Sequence, residues 1–308
     1  MTAALAPLLS ALMAHDDTLP INPMLGVPGF PHCVRRNPSI NMTVEEAALD
    51  LVCTQREAPA AAIKIAAVGD SITAGVCSSG GDHPYPQQLQ MLLDETHGKD
   101  VYSVTNLGAC GSTMLKKGDS PFWQRPQYDS LTAGTWDIVT IMLGTNDAKD
   151  PGSHGPNNWQ HDCGGEDQTS LKNCSYASDY ADMVELVKTL GTTPGVAPKI
   201  YTLIPPPLMQ EFAYGMNQTV INSVYPKLVP LIAAANPAVT GVIDMFVPMG
   251  GEVQWTDDED FPSVCAVDST SKWPACGWYC DAQSCDQCHP NDSGYKHMGN
   301  VLKSGLGL

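Results

Sequence analysis

The sequence has few basic residues. Lysine and arginine together number 16, against 33 aspartates and glutamates, which gives a formal net charge of −17. A chain this acidic repels the phosphate backbone of a nucleic acid instead of attracting it. We therefore expect no nucleic acid among its partners.

The chain also lacks long apolar stretches and internal repeats. No segment approaches the ~20 continuous apolar residues that a membrane-spanning helix needs, so no membrane span is predicted. Residues 1–14 are apolar but lack the basic n-region of a signal peptide. Any prediction of secretion must therefore rest on features other than a leader.

Cysteines and glycosylation triplets supply those features. Eleven cysteines are many for a reducing cytosol and favour disulfides formed in an oxidising compartment. Asn41, Asn173 and Asn217 each begin an Asn-x-Ser/Thr triplet, as in secreted glycoproteins. Asn291 begins a fourth triplet, next to His289. We expect a secreted, extracellular protein with at least one unpaired cysteine, because the count is odd.

Alternating apolar patterns predict the fold class. Runs rich in β-branched residues predict five buried strands at 64–68, 101–105, 137–143, 199–204 and 239–244. Helical spacing occupies the segments between and after them, at 86–95, 176–190, 217–235 and 292–302. This alternation predicts an α/β fold, a three-layer α/β/α sandwich around a five-stranded parallel sheet.

The domain organisation follows from the same pattern. Residues 1–62 precede the first strand and are predicted to be an N-terminal extension that wraps the core. Residues 63–308 form one domain, with insertions at about 150–175 and 252–285 that read as ordered surface loops tied by disulfides.

The first predicted strand ends at Gly69-Asp70-Ser71, where a nucleophile could stand. Glycine permits a tight turn, and Ser71 would then be the first exposed side chain above the sheet. The alternative is that Asp70 and Ser71 only cap the next helix. For this turn taken alone the capping interpretation is favoured, although in parallel sheets the ligand crevice lies beyond the carboxyl ends of the strands.

Three further segments change the interpretation of this turn, because all four resemble the motifs of one family. They are Asn-Leu-Gly-Ala-Cys-Gly at 106–111, Gly-Thr-Asn-Asp at 144–147 and Asp-Gln-Cys-His-Pro at 286–290. With the serine turn they resemble, in order and position, the four sequence blocks of the SGNH (GDSL-like) hydrolase superfamily. The resemblance covers residues 63–305 and implies a flavodoxin-like fold and serine esterase activity.

The resemblance also implies a catalytic triad. In it Ser71 attacks the ester carbonyl, His289 takes the serine proton and Asp286 orients the imidazole. The chemistry requires such a set, because a serine hydroxyl is a poor nucleophile until a base removes its proton, and a carboxylate must fix the tautomer of that base. The rate should rise as His289 loses its own proton.

The resemblance implies an oxyanion hole as well. Its three donors would be the backbone N–H groups of Ser71 and Gly111 and the side-chain amide of Asn146. Gly108 is a nearby alternative for the glycine donor. Such donors stabilise the charge of the tetrahedral intermediate.

Two groups of cysteines near these blocks could have a function other than disulfide formation. Cys110 stands where the family often has serine; it could be a nucleophile, but a disulfide with Cys77 is favoured. Four cysteines beside His289 could hold zinc, although disulfides that brace the triad loop are preferred: Cys276, Cys280, Cys285 and Cys288. We predict neither a metal nor a cofactor.

The blocks most resemble those of carbohydrate O-acetylesterases, including sialate and xylan types. The expected partner is therefore an ester substrate, an acetylated carbohydrate. The insertion after Asn146 contains Trp159, His154 and His161, which could stack on a sugar ring or form hydrogen bonds with it. Lipid esterase or lysophospholipase activity is the alternative within the superfamily. A non-catalytic carbohydrate-binding relative is the alternative from another class.

Overall fold

A computed structural model describes residues 32–35, 51–54, 62–160, 163, 171–251, 265, 275–281 and 284–308. The chain divides into two compact units, Met1–Ala61 and Ala62–Leu308. In the first unit, β1 (His32–Arg35) pairs antiparallel with β2 (Leu51–Thr54). The predicted wrapping of the core by the N-terminal extension lies outside the described residues.

The second unit is built on a five-stranded parallel sheet, which confirms the predicted fold class. Its strands in spatial order are β4, β3, β5, β6 and β7. Their bounds are β3 (Ile63–Gly69), β4 (Tyr102–Gly108), β5 (Ile138–Met142), β6 (Lys199–Ile204) and β7 (Val239–Asp244).

The two central strands are covered on both faces. Residues 65–69 of β3 and all of β5 are buried. Because successive side chains of a strand point to opposite faces, continuous burial requires packing layers on each side. This explains why these strands read as unbroken apolar runs and not as alternating ones.

Seven α-helices are described along the chain: α1 (Ser71–Ala74), α2 (Tyr85–His97), α3 (Pro126–Ala133), α4 (Ser175–Val187), α5 (Tyr225–Ala235), α6 (Cys276–Tyr279) and α7 (Asp292–Leu306). α2 packs on α7 and β4, whereas α5 packs on β6, β7 and α4. The sequence pattern missed α3, which buries only Leu131 and so has almost no apolar periodicity.

The helix predicted over 217–235 forms, with a π-helical turn inside it. Residues 218 and 219 are helical, Val220–Val224 is the π-helical turn, and α5 follows directly from Tyr225 with Pro226 in its first turn. Proline has no N–H to donate to the preceding turn, and a π-helical turn accommodates the hydrogen bond that is lost there.

The strand order determines where a ligand crevice opens. From β3 the chain runs first to one side, to β4, and then to the other, through β5 to β7. Loops leaving the carboxyl ends of β3 and β5 diverge at this switch point and leave a crevice between them. Ser71 follows β3, and Asn146 follows β5.

The cysteines are partly paired. Disulfides join Cys163 to Cys174, Cys265 to Cys276 and Cys280 to Cys285. The zinc alternative therefore loses three of its four thiolates. Among the described residues three thiols are free, Cys77, Cys110 and Cys288, so the predicted disulfide between Cys77 and Cys110 is wrong.

No helix in the described part of the chain is both long and apolar enough to cross a membrane.

Candidate active site

The turn after β3 presents Ser71 at the start of α1. The carboxylate of Asp70 accepts a hydrogen bond from the backbone N–H of Ile72 at 2.9 Å and so caps this short helix. A Cβ on Gly69 would lie 1.9 Å from Oγ1 of Thr73, which explains the glycine. The capping interpretation is therefore correct for Asp70, and the hydroxyl of Ser71 is left for another contact.

That contact is with His289. Ser71 Oγ lies 2.9 Å from Nε2 of the imidazole. The other ring nitrogen, Nδ1, is 3.2 Å from each carboxylate oxygen of Asp286. The tautomer that satisfies both contacts carries its proton on Nδ1, which leaves Nε2 able to accept the serine proton. The structure thus brings together three residues that are up to 218 positions apart.

The carboxylate of Asp286 accepts further hydrogen bonds. Its Oδ1 accepts the backbone N–H groups of Cys288 and His289, each at 2.7 Å. Its Oδ2 accepts the hydroxyl of Tyr214 at 2.5 Å and the thiol of Cys77 at 3.4 Å. Burial alone would raise the pKa of Asp286, but hydrogen bonds from His289 and Tyr214 outweigh it and hold the pKa below its ordinary value.

Sequence reasoning missed the role of Tyr214 and placed Cys77 in a disulfide. Tyr214 lies on the loop after β6, and its ring meets that of His289 edge-on with centroids 5.5 Å apart. Tyr214 and Cys77 are 72 and 209 residues from Asp286 in sequence. Neither stands in one of the four blocks, so no local pattern pointed to them.

Gly111 and Asn146 lie at the same pocket. The pocket has a volume of about 370 Å³, and its lining includes Ser71, Gly111, Asn146 and His289. Gly111 has a left-handed φ of 77°, and no acceptor contacts its amide among the described residues. Gly108 differs, because its amide already donates to the side chain of Asn106 at 2.9 Å. The geometry therefore favours Gly111 over Gly108 as a donor.

Asp147 connects the loops that carry Gly111 and Asn146. Its buried carboxylate accepts the backbone N–H groups of Met114 and Leu115 at 2.9 and 2.7 Å. This contact fixes the loop after β4, which holds Gly111, against the turn that holds Asn146. Burial raises the pKa of Asp147 to about 7 and that of Asp70 to about 6. Asp147 is part of the Gly-Thr-Asn-Asp block, a signal that could have identified it.

The expectations about Trp159, His154 and His161 near the pocket can be compared with the structure. Trp159 is 3% exposed and packs against the rings of Tyr176 and Tyr225, so the prediction that it stacks on a sugar is wrong. His154 is exposed and touches the ring of Phe212, whereas His161 lies outside the described residues.

The glycosylation triplet at Asn291 is blocked by the fold. Asn291 is 6% exposed; its side-chain carbonyl caps α7 through the backbone N–H of Gly294, and its amide donates to the carbonyls of Gly277 and Cys280. Asn173 is exposed, and the side chain of Asn217 donates to Asp150.

Comparison with known families and proteins agrees with this geometry. The model of the GDSL-like Lipase/Acylhydrolase family matches residues 67–297 of the 308. An acetylxylan esterase from Xylanibacter ruminicola is 40% identical over 101 residues. That alignment spans 32% of this chain but only 19% of the relative.

A solved structure shares the fold. An acetyl xylan esterase designated AlAXEase is 18% identical with a TM-score of 0.51, and the match covers 79% of this chain and 100% of that one. A carbohydrate acetylesterase family member from Sinorhizobium meliloti is 21% identical with a TM-score of 0.46, covering 80% of this chain and 100% of that one.

Proposed function

The chain belongs to the GDSL-like lipase/acylhydrolase family, and on that premise we propose that it is a serine carboxylic-ester hydrolase with Ser71, His289 and Asp286 as its triad. The observation that carries the proposal is the 2.9 Å contact between the Ser71 hydroxyl and Nε2 of His289, with Nδ1 held by Asp286. The partners in these hydrogen bonds support the role proposed for each residue.

In the first half of the reaction, Oγ of Ser71 attacks the ester carbonyl carbon while Nε2 of His289 takes its proton. The resulting imidazolium faces the ionised carboxylate of Asp286, which stabilises the positive charge. His289 then gives the proton to the departing alcohol oxygen, and the acyl group remains on Ser71. In the second half, His289 activates a water that hydrolyses the acyl-enzyme.

The oxyanion of each tetrahedral intermediate is stabilised by the N–H groups of Ser71 and Gly111 and by the side-chain amide of Asn146. Asp70 caps Ile72 and not Ser71, so the first amide of α1 stays available for this purpose. Donors that are fixed before the reaction need no reorganisation when the charge develops.

The substrate we propose is an acetylated carbohydrate, with removal of O-acetyl or other short acyl groups. Two observations support a short acyl group: the likeness to an acetylxylan esterase over 101 residues, and the modest pocket of about 370 Å³. A lipid ester is the competing substrate class within the family.

We also propose that the protein acts outside the cell. Three disulfides in the described residues support this location, because such bonds persist in oxidising compartments. Outside the cell the enzyme would also have access to a polymeric acetylated carbohydrate.

The test of the activity is hydrolysis of p-nitrophenyl acetate by the wild type and by Ser71→Ala. We expect the variant to lose about 10⁶-fold in kcat, which leaves only the residual rate that the oxyanion hole and substrate binding supply. Turnover that persists in Ser71→Ala, with unchanged thermal unfolding, would reject the triad. Absence of any turnover by the wild type would favour a binding protein.

The substrate class needs a separate measurement. Rates on p-nitrophenyl esters from acetate to palmitate should fall steeply with chain length, and acetate should be released from acetylated xylan. A maximum at long chains would instead favour a lipid esterase.

A further inference from the structure

One polar side chain at the triad has no part in the reaction proposed above. The thiol of Cys77 lies beside the carboxylate of Asp286, with Sγ 3.4 Å from Oδ2. Cys77, Asp286 and His289 each offer one ligand atom, and these three atoms lie within 4.8 Å of one another. Thiolate, carboxylate and imidazole together are a ligand set that suits zinc.

The spacing of these atoms fits tetrahedral coordination. With zinc–sulfur and zinc–nitrogen or zinc–oxygen bonds of about 2.3 and 2.0 Å, tetrahedral ligands stand about 3.3–3.6 Å apart. Here Sγ is 3.4 Å and Nδ1 is 3.2 Å from Oδ2. All three ligand atoms lie within 4.8 Å of one another, so the side chains must move closer together before all three bind one ion.

We propose that Cys77, Asp286 and His289 form a binding site for Zn²⁺ and that occupation of this site inhibits the enzyme. The inhibitory effect rests on the proposed hydrolase function, whereas the binding itself does not. Three protein ligands leave a fourth position of the ion for water.

Inhibition follows from the tautomer of His289. A metal on Nδ1 uses the lone pair of that nitrogen, so the ring proton must sit on Nε2 instead. Nε2 then donates towards Ser71 Oγ and cannot accept the serine proton. Cys77 gives up its thiol proton to solvent as its sulfur binds, so one proton is released for each ion bound while the imidazole stays neutral.

The surroundings of the site favour a cation. Cys77 is exposed and gives the ion an entry path from solvent. The hydroxyl of Tyr214, which donates to Oδ2 of Asp286, is placed to orient the ligating carboxylate as an outer-shell partner.

The first experiment measures inhibition of p-nitrophenyl acetate hydrolysis by Zn²⁺, with each protein normalised to its own rate without zinc. The wild type should be inhibited and recover with EDTA. Cys77→Ser should need far more zinc, beyond the ~10- to 100-fold that loss of an outer-shell partner causes. Cys110→Ser is the matched control, because Cys110 is an exposed free thiol that lines the active-site pocket but lies outside the ligand set. It should respond like the wild type.

The second experiment detects binding without any use of catalysis. Co²⁺ bound to a thiolate absorbs in the near ultraviolet, and this band should appear in the wild type and in Ser71→Ala but not in Cys77→Ser. A band in Ser71→Ala would show that the site binds metal, even if the esterase proposal is wrong. Equal inhibition of wild type and Cys77→Ser, or no cobalt band that depends on Cys77, would overturn the proposal.

Discussion

Asp286 accepts hydrogen bonds from more groups than the orientation of one imidazole requires. Besides His289, its oxygens accept two backbone N–H groups, the Tyr214 hydroxyl and the Cys77 thiol. Burial alone would raise the pKa of this carboxylate, but hydrogen bonds from the side chains of His289 and Tyr214 and from the backbone of His289 outweigh that effect. At the residue scale, the acid of the proposed triad is thus held as an anion by a shell that only the fold assembles.

Removal of the Tyr214 hydroxyl should change the pH dependence of the reaction. Tyr214→Phe keeps the ring that packs on His289 but removes a hydrogen bond to a charged group, worth about 1.5–3 kcal/mol. More of the Asp286 charge then acts on the imidazolium, so we expect the acid limb of the kcat/KM profile to move to higher pH.

The matched control for this variant is Phe212→Leu on the same loop. Phe212 touches His154 and has no described contact with the triad. Its pH profile should coincide with that of the wild type. If the pH profile of Tyr214→Phe also coincides with that of the wild type, the Tyr214 hydroxyl does not act on the triad.

Asn146→Ala should be folded and nearly inactive. The side-chain amide of Asn146 approaches only Asp70, at 3.5 Å, whereas its backbone carbonyl holds the side chain of Asn158 and is kept in the variant. Loss of one oxyanion donor raises the barrier by ~3–4 kcal/mol, or 10²–10³-fold in kcat. Kinetics with p-nitrophenyl acetate and a thermal melt on the same sample check this; a rate within a few-fold of wild type would exclude Asn146 from the oxyanion hole.

At the scale of elements, the segment between α6 and α7 carries both Asp286 and His289. The Cys280–Cys285 disulfide closes its first part, and Asn291 ties its end to the carbonyls of Gly277 and Cys280. Asn291 also caps α7, so the helix and the triad loop are fixed by one side chain. The loop position therefore depends on covalent and hydrogen-bonded links to the flanking helices.

Removal of this disulfide should affect catalysis as well as stability. In a chain-entropy account, a bridge across so short a loop stabilises the fold by about 2 kcal/mol. We expect Cys280→Ala/Cys285→Ala to unfold at lower temperature and to lose kcat, because His289 is no longer held at its distance from Ser71.

A second double variant separates the two effects. The Cys163–Cys174 bridge closes a longer span and ends at the first turn of α4, away from the triad loop in sequence. Cys163→Ala/Cys174→Ala should lower the melting temperature while kcat stays near wild type. If both double variants keep full kcat, the triad loop does not need its disulfide.

At the scale of the whole molecule, the buried carboxylates and the net charge determine how the stability of the fold changes with pH. The ordinary pKa of Asp70 and Asp147 is 3.8, and burial raises it to about 6 and about 7 in the fold. The folded state therefore holds these protons more tightly, so their stabilising contribution is complete below the ordinary pKa and is lost as the pH rises through the folded values. Acidification also reduces the repulsion within a chain of net charge −17.

We therefore expect the second unit to melt at a higher temperature at about pH 5 than at about pH 8. Asp286, with its lowered pKa, contributes in the opposite sense, but that contribution is lost only below the ordinary carboxyl range. Asp147→Asn should weaken the pH dependence of melting, whereas Asp100→Asn, at an exposed position, should leave it unchanged. A melting temperature that rises towards about pH 8 would contradict this account.

The sequence by itself determined the sheet, most of its helices and the edge at which Ser71 and Asn146 lie. Strand runs and helical spacing are local patterns, and parallel strands place their carboxyl ends at one edge whatever lies between them. Asp286 and His289 follow no strand, and the proposed triad and donors were predicted because their four blocks resemble those of the SGNH hydrolases. Helix α3 was not predicted, because it has a single buried residue.

Only the tertiary structure decided the contacts between segments that no pattern connects. It placed Tyr214 and Cys77 on Asp286, buried Trp159 among tyrosines and left Cys110 unpaired. The physical reason is that hydrogen bonds, disulfides and exposure depend on distances of a few ångströms. Those distances are set by the packing of the whole domain and not by the local order of residues.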